Sequence, residues 1–219
     1  MTAPAPRPIA TNPVQPSAAA RDERDGREIR RGTAGELRAV RADGKVVLTG
    51  YASVYDVRSE PIYGMFYEIV RRGAFAAALK GDDDVRALFD HDSGRVLGRT
   101  RSRTLRLSDD AKGLKFELDL PDTTDARDLA TLIERRDISE MSFGFRKLKD
   151  RWQEETQPDG LVVTTRELLE VELFDVSPVA YPAYPETDVS VRSFQGFRAE
   201  RAAAGMEQRR RRLRLAEAS

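Results

Sequence analysis

Between residues 114 and 120, apolar and charged residues alternate strictly: Leu114, Phe116, Leu118 and Leu120 are separated by Lys115, Glu117 and Asp119. Successive side chains of a strand point to opposite faces, so this segment buries one face only as a β-strand whose other face meets water. A helix would scatter the same residues around its circumference. The chain must therefore build a sheet around residue 117.

Other segments read the same way. Strands are expected at Glu36–Arg41 and Lys45–Tyr51, on either side of Asp43-Gly44, a pair suited to a hairpin turn whose two central residues need positive φ. Further strands are expected at Phe66–Val70, Val85–Phe89, Thr104–Leu107, Met141–Leu148 and Leu161–Val179, with the polar stretch Lys149–Gly160 read as a loop. A short helix is expected at Gly73–Lys80, stopped by Gly81. A longer one should run from about Asp125 to Arg135, capped by Thr124 or Asp125 and carrying the apolar stripe Ala126, Leu129, Leu132 and Ile133. Many short strands and two helices predict an α+β, mainly antiparallel β fold: a closed or nearly closed β-barrel flanked by a few helices.

The ends differ from this body. Residues 1–35 are expected to be disordered, since five of the eleven prolines fall by Pro16 and the charge run Arg21–Asp25 follows. From Phe194 onward seven arginines face three glutamates, a local charge of +4. Residues 194–219 are expected to form a basic helical or disordered tail, interrupted at Gly205, which leaves 36–193 as the folded domain.

Composition excludes several classes of function. Lysine plus arginine and aspartate plus glutamate number 37 each, so no global charge draws the chain to nucleic acid or anionic membrane. The absence of cysteine excludes disulfides, thiolate catalysis and thiolate zinc sites. No apolar run approaches the ~20 residues of a membrane span and no hydrophobic signal core opens the chain, which reads as intracellular. One histidine cannot form a histidine metal cluster, and neither cofactor nor metal is expected.

That histidine, His91, lies at the exit of the apolar strand Ala87-Leu88-Phe89, within Asp90-His91-Asp92. It is the one obvious general base for chemistry near neutral pH. In Met141-Ser142-Phe143-Gly144-Phe145 the bulky residues bury one face of a strand, while Ser142 and Gly144 share the other; the glycine leaves room beside the hydroxyl. A serine attacks well only when a base takes its proton, and a third polar group then fixes the tautomer of the base. Glu170, Glu172 and Asp175 offer that third group. By residue type alone, a serine on a wet strand face, a histidine at a strand end and edge carboxylates fit an ordinary sheet equally well.

Four blocks together resemble the tailed-phage prohead (capsid maturation) protease family: Phe66-Tyr67-Glu68-Ile69-Val70-Arg71-Arg72-Gly73-Ala74-Phe75; Leu88-Phe89-Asp90-His91-Asp92 with Val96-Leu97-Gly98-Arg99-Thr100; Met141-Ser142-Phe143-Gly144-Phe145; and Leu173-Phe174-Asp175-Val176-Ser177-Pro178-Val179 with Tyr181-Pro182-Ala183. The resemblance spans roughly 45–190. It implies a herpesvirus-assemblin-like serine endopeptidase with Ser142 as nucleophile and His91 as base. Asp175 is the favoured third member, and Glu170 and Glu172 are alternatives. The implied substrates are the scaffolding region of the major capsid protein or a separate scaffold protein, and also the protease itself. The implied location is the host cytoplasm, inside the assembling procapsid, with self-association open and no membrane or specific nucleic-acid partner. Backbone N–H groups are the expected oxyanion donors. Arg136 and Glu140 stand where small residues, often glycine, are expected around the turn into the serine strand. The alternative is a non-catalytic capsid-assembly or scaffold protein with the same fold. A nucleic-acid module built on Arg209–Arg214 is disfavoured by the zero net charge and the lack of aromatics after Phe197.

Overall fold

The computed structural model describes residues 26–32, 36–80, 84–180 and 188–217. The expected disorder of residues 1–25, the expected stop at Gly81 and the block Tyr181-Pro182-Ala183 lie outside the described residues.

Among the described residues ten strands form two sheets. The smaller is antiparallel and contains β2 (Arg38–Ala42), β3 (Lys45–Val54), β8 (Gly113–Asp119) and β7 (Leu105–Asp109), in that order. Its first hairpin turns at Asp43-Gly44 with φ of 49° and 75°, the left-handed pair that a two-residue turn requires. The alternation in β8 does what its period dictates: Leu114, Phe116 and Leu118 are fully buried.

The larger sheet runs β1 (Arg27–Arg31), β9 (Glu140–Thr156), β10 (Val162–Val179), β5 (Arg86–Phe89) and β6 (Asp92–Arg99). β4 (Tyr67–Val70) pairs in parallel with β10 over Thr165–Leu168, and β5 takes the same edge further on, at Asp175 and Val176. This sheet curls into a half-barrel, and the expected closure of the barrel does not occur. The smaller sheet lies against it instead. Leu48, Leu114, Phe116 and Leu118 share one apolar cluster with Phe143, Phe145, Val171, Leu173 and Val176, so packing of sheet on sheet buries the faces that closure would otherwise have buried.

Two other expectations are corrected. Residues 27–31 fall in the stretch expected to be disordered, yet they form β1, antiparallel to β9. The stretch Lys149–Gly160, expected as a loop, is mostly strand: β9 and β10 continue as a hairpin arm out to Thr156↔Val162. Polarity misleads there because the arm is held by cross-strand charge, with Arg151 bonded to its opposite neighbour Glu167 and Arg166 Nε donating to Asp150 Oδ2 at 2.9 Å.

Helix α1 (Ala76–Lys80) connects β4 to β5. Helix α2 (Thr124–Arg135) buries Ala126, Leu129, Ala130 and Ile133. Its cap is Thr123 rather than Thr124 or Asp125, the Thr123 hydroxyl accepting from the Ala126 N–H at 3.4 Å. Helix α3 (Asp188–Glu217) runs through Gly205 without interruption. The expected boundary after residue 193 falls inside it: Phe197 stacks on Trp152 at 5.2 Å between ring centroids and Phe194 on Phe66 at 5.5 Å. Among the described residues no helix is long and apolar enough to cross a membrane.

α2 ends on Arg136 with φ 68°, the left-handed conformation that glycine adopts without penalty. For an L-residue it costs about 1–2 kcal/mol, partly offset by the greater freedom glycine has when unfolded. Arg136→Gly is therefore expected to raise stability by about 0.5–1 kcal/mol. A urea midpoint that stays level or falls would show that the arginine side chain contributes more than its backbone loses.

Candidate active site

β9 supplies the serine. Phe143 and Phe145 face the core, which turns Ser142 and Gly144 to the opposite face. On β10, Val176 opposes Phe143 and Ser177 opposes Ser142, but the register slips between Leu173 and Asp175. That bulge at Phe174 puts two residues against one and aims Asp175 onto the serine face, opposite Gly144. A Cβ at Gly144 would lie 2.2 Å from Asp175 Oδ2, so the glycine makes room for the carboxylate.

His91 arrives from the neighbouring hairpin. β5 and β6 are joined by Asp90-His91 alone, with φ of 57° and 56°, so the histidine occupies the second central position of a type I′ turn. Such turns favour asparagine and glycine. A histidine held there is strained, the kind of cost that persists where the surroundings over-determine a position. The surroundings include the Asp90 N–H, which donates to the Pro178 carbonyl at 3.0 Å and ties the turn to β10.

The three side chains meet. His91 Nε2 lies 2.6 Å from Ser142 Oγ, and His91 Nδ1 lies 2.5 Å from Asp175 Oδ1. Ser142 is fully buried, Asp175 nearly so, and the imidazole is 10% exposed. Burial pushes the Asp175 carboxyl up, but the bond and charge of His91, the charge of Arg27 and the Ser177 hydroxyl outweigh it and hold the carboxyl below its ordinary range. An ionised Asp175 accepts from Nδ1–H, which leaves Nε2 of a neutral ring bare toward Ser142. This arrangement can move a proton from the hydroxyl to the ring.

The other expected carboxylates are elsewhere. Glu172 pairs with Arg146, and Glu170 stands opposite Lys149 across the hairpin; neither touches His91. Two residues of the site were not expected. Ser177 Oγ donates to Asp175 Oδ1 at 2.8 Å, and its place two residues from Asp175 on the same strand face was the available signal. Arg27 binds Asp175 Oδ2 from β1, and nothing in Arg27-Glu28-Ile29-Arg30-Arg31 has the apolar alternation that marks a strand. Ser142 Oγ also donates to the Arg30 carbonyl at 2.9 Å. A cavity beside β1, lined by Arg30, Arg31, Ser53, Glu68 and Phe143 among others but by none of Ser142, His91 and Asp175, measures about 30 Å³, the room of one or two waters.

Residues 34–200 match the family model described as caudovirus prohead serine protease. The matched span includes His91, Ser142 and Asp175 and begins after β1. No curated protein and no solved structure matches the chain.

Proposed function

The chain belongs to the caudovirus prohead serine protease family, and on that premise we propose that it is the maturation endopeptidase of an assembling phage head, working through Ser142, His91 and Asp175. The observation that carries this reading is the unbroken chain of contacts from Ser142 Oγ through both ring nitrogens of the only histidine to one buried carboxylate.

His91 Nε2 takes the Ser142 proton as Oγ attacks the scissile carbonyl carbon. Asp175 holds the ring in the Nδ1–H tautomer and stabilises the imidazolium that forms. The imidazolium then protonates the departing amine, leaving an acyl-enzyme that water hydrolyses by the same proton path. Ser177 and the glycine gap at 144 position Asp175. The substrates are the scaffolding part of the major capsid protein, or a separate scaffold protein, and the protease itself, cut within the procapsid in the host cytoplasm. The proposed relationship to the herpesvirus assemblins rests on the same serine and histidine blocks.

The test is incubation of purified protein with capsid precursor, read by mass spectrometry. His91→Asn is the informative variant, since asparagine tolerates the left-handed turn position and removes only the base. It is expected to lower cleavage by about 10³-fold or more. Near-normal turnover would exclude His91 as the base. A precursor left whole by active-site-intact protein would favour the non-catalytic scaffold role.

A further inference from the structure

A peptidase must bring a backbone carbonyl to its nucleophile, and at Ser142 one is already present. It belongs to Arg30, delivered by a strand that runs antiparallel to β9 from Arg27↔Arg146 to Arg31↔Ser142. We propose that this edge of β9 is the substrate-binding edge, that substrates enter as extended peptide strands in place of β1, and that β1 is a resident occupant that keeps the site off until displaced. The proposal rests on Ser142 as the nucleophile.

Three features make the docked form inactive. Ser142 is fully buried. Its hydroxyl has one hydrogen, and when that is given to the Arg30 oxygen it is not shared with His91 Nε2. Arg27 sits on Asp175 and neutralises the charge that would stabilise the imidazolium.

Displacement is also feasible. β1 has five residues and a single partner strand, and its one aliphatic residue, Ile29, is only half-buried, so β1 itself brings little apolar surface to the fold. Its buried charges, Glu28 and Arg30, depart as a neutral pair. With β1 docked, Arg30 and Arg166 face Glu28, Glu68 and Asp150, a sum of −1; without it, Arg166 faces Glu68 and Asp150, again −1. Strand addition to an open edge supplies an incoming peptide with the backbone bonds that β1 gave up. The family match begins at residue 34, past β1, consistent with an added regulatory strand.

Because the chain has no cysteine, Arg27→Cys combined with Arg146→Cys makes a single possible intramolecular disulfide, between positions directly opposed in register and so within reach of one. The full-length double variant is assayed oxidised and reduced, both for cleavage of capsid precursor and for labelling of Ser142 by a fluorophosphonate. Oxidation is expected to slow both by about 100-fold or more, with recovery on reduction. Equal rates in the two forms would overturn the proposal. If wild type and both forms of the variant neither cleave nor label, the assignment of Ser142 fails instead, and the proposal with it. Should the variant not fold, hydrogen exchange of wild type decides: β1 amides should exchange about 100-fold faster than those of β9 and β10 near Ser142, and equal protection would rule out displacement.

Discussion

Ser142→Ala is expected to abolish processing of coexpressed capsid precursor, lowering cleavage by about 10³–10⁶-fold while the protein stays folded. The size follows from chemistry: without Oγ no acyl-enzyme forms, and what remains is whatever water can do in the same site. The structural cost is modest, because the change removes one buried hydroxyl and leaves the Arg30 carbonyl and His91 Nε2 each short of a partner, about 1–3 kcal/mol. Intact-mass measurement of capsid precursor and protease, with circular dichroism as a check on folding, separates the two effects. Undiminished processing by folded Ser142→Ala protein would defeat the assignment. Ser177 is a poor substitute in that event: its hydroxyl is given to Asp175, whereas His91 Nε2 lies against Ser142. Its expected role is positioning, so Ser177→Ala should reduce turnover far less than Ser142→Ala.

Much of the sheet was legible because period-two patterning is a direct image of burial. β8 and the core face of β9 declare themselves in Leu114–Leu120 and Met141–Phe145. The candidate site was partly legible: four sequence blocks name Ser142 and His91 and favour Asp175, with Glu170 and Glu172 as alternatives, and the geometry brings Asp175 rather than either glutamate against His91. The bulge at Phe174 turns Asp175 onto the face of Ser142, and a bulge leaves no signature in residue type beyond a broken alternation. β1 and the outer β9–β10 arm were missed for a shared reason. Their inward faces carry charge, Glu28, Arg30 and Arg166, and patterning arguments assign charged faces to water. β6 was missed because its exposed polar start, Asp92-Ser93-Gly94-Arg95, resembles a loop, while its pairing comes from the tight turn at Asp90-His91.

That inward charge is the basis of the second large effect. Arg166 is fully buried and donates to Glu28 Oε2 at 2.7 Å, Glu28 Oε1 at 3.0 Å, Glu68 Oε2 at 3.2 Å and Asp150 Oδ2 at 2.9 Å. Arg30 Nε reaches Glu68 Oε1 at 2.8 Å, and Ser190 of α3 bonds both Arg30 and Glu28, so one network joins β1, β4, β10 and the C-terminal helix. Burial alone would push the Glu28 carboxyl up. The charges of Arg30 and Arg166, with the bonds from Arg166 and Ser190, outweigh it and hold Glu28 at about 2. Arg166→Met fills much of the same volume but leaves three carboxylates facing Arg30 alone, and removing one partner of a buried ion network costs about 3–5 kcal/mol, a large share of the ~5–15 kcal/mol that holds a domain together. The sign of the pH dependence follows from Glu28. A carboxyl lowered on folding contributes stability above its unfolded value, near 4.3, and loses it as pH falls toward 2, here about 3 kcal/mol in all. In Arg166→Met part of that contribution is lost at neutral pH, since Arg30 alone remains beside Glu28, and protonation of Glu28 relieves the variant. The difference between wild type and variant should therefore be largest at pH 7 and shrink below about pH 4. Urea unfolding of both proteins at pH 7 and near pH 3.5 measures it. A difference under about 1 kcal/mol at pH 7, unchanged in acid, would mean that packing rather than paired charge joins β1 and α3 to the sheet.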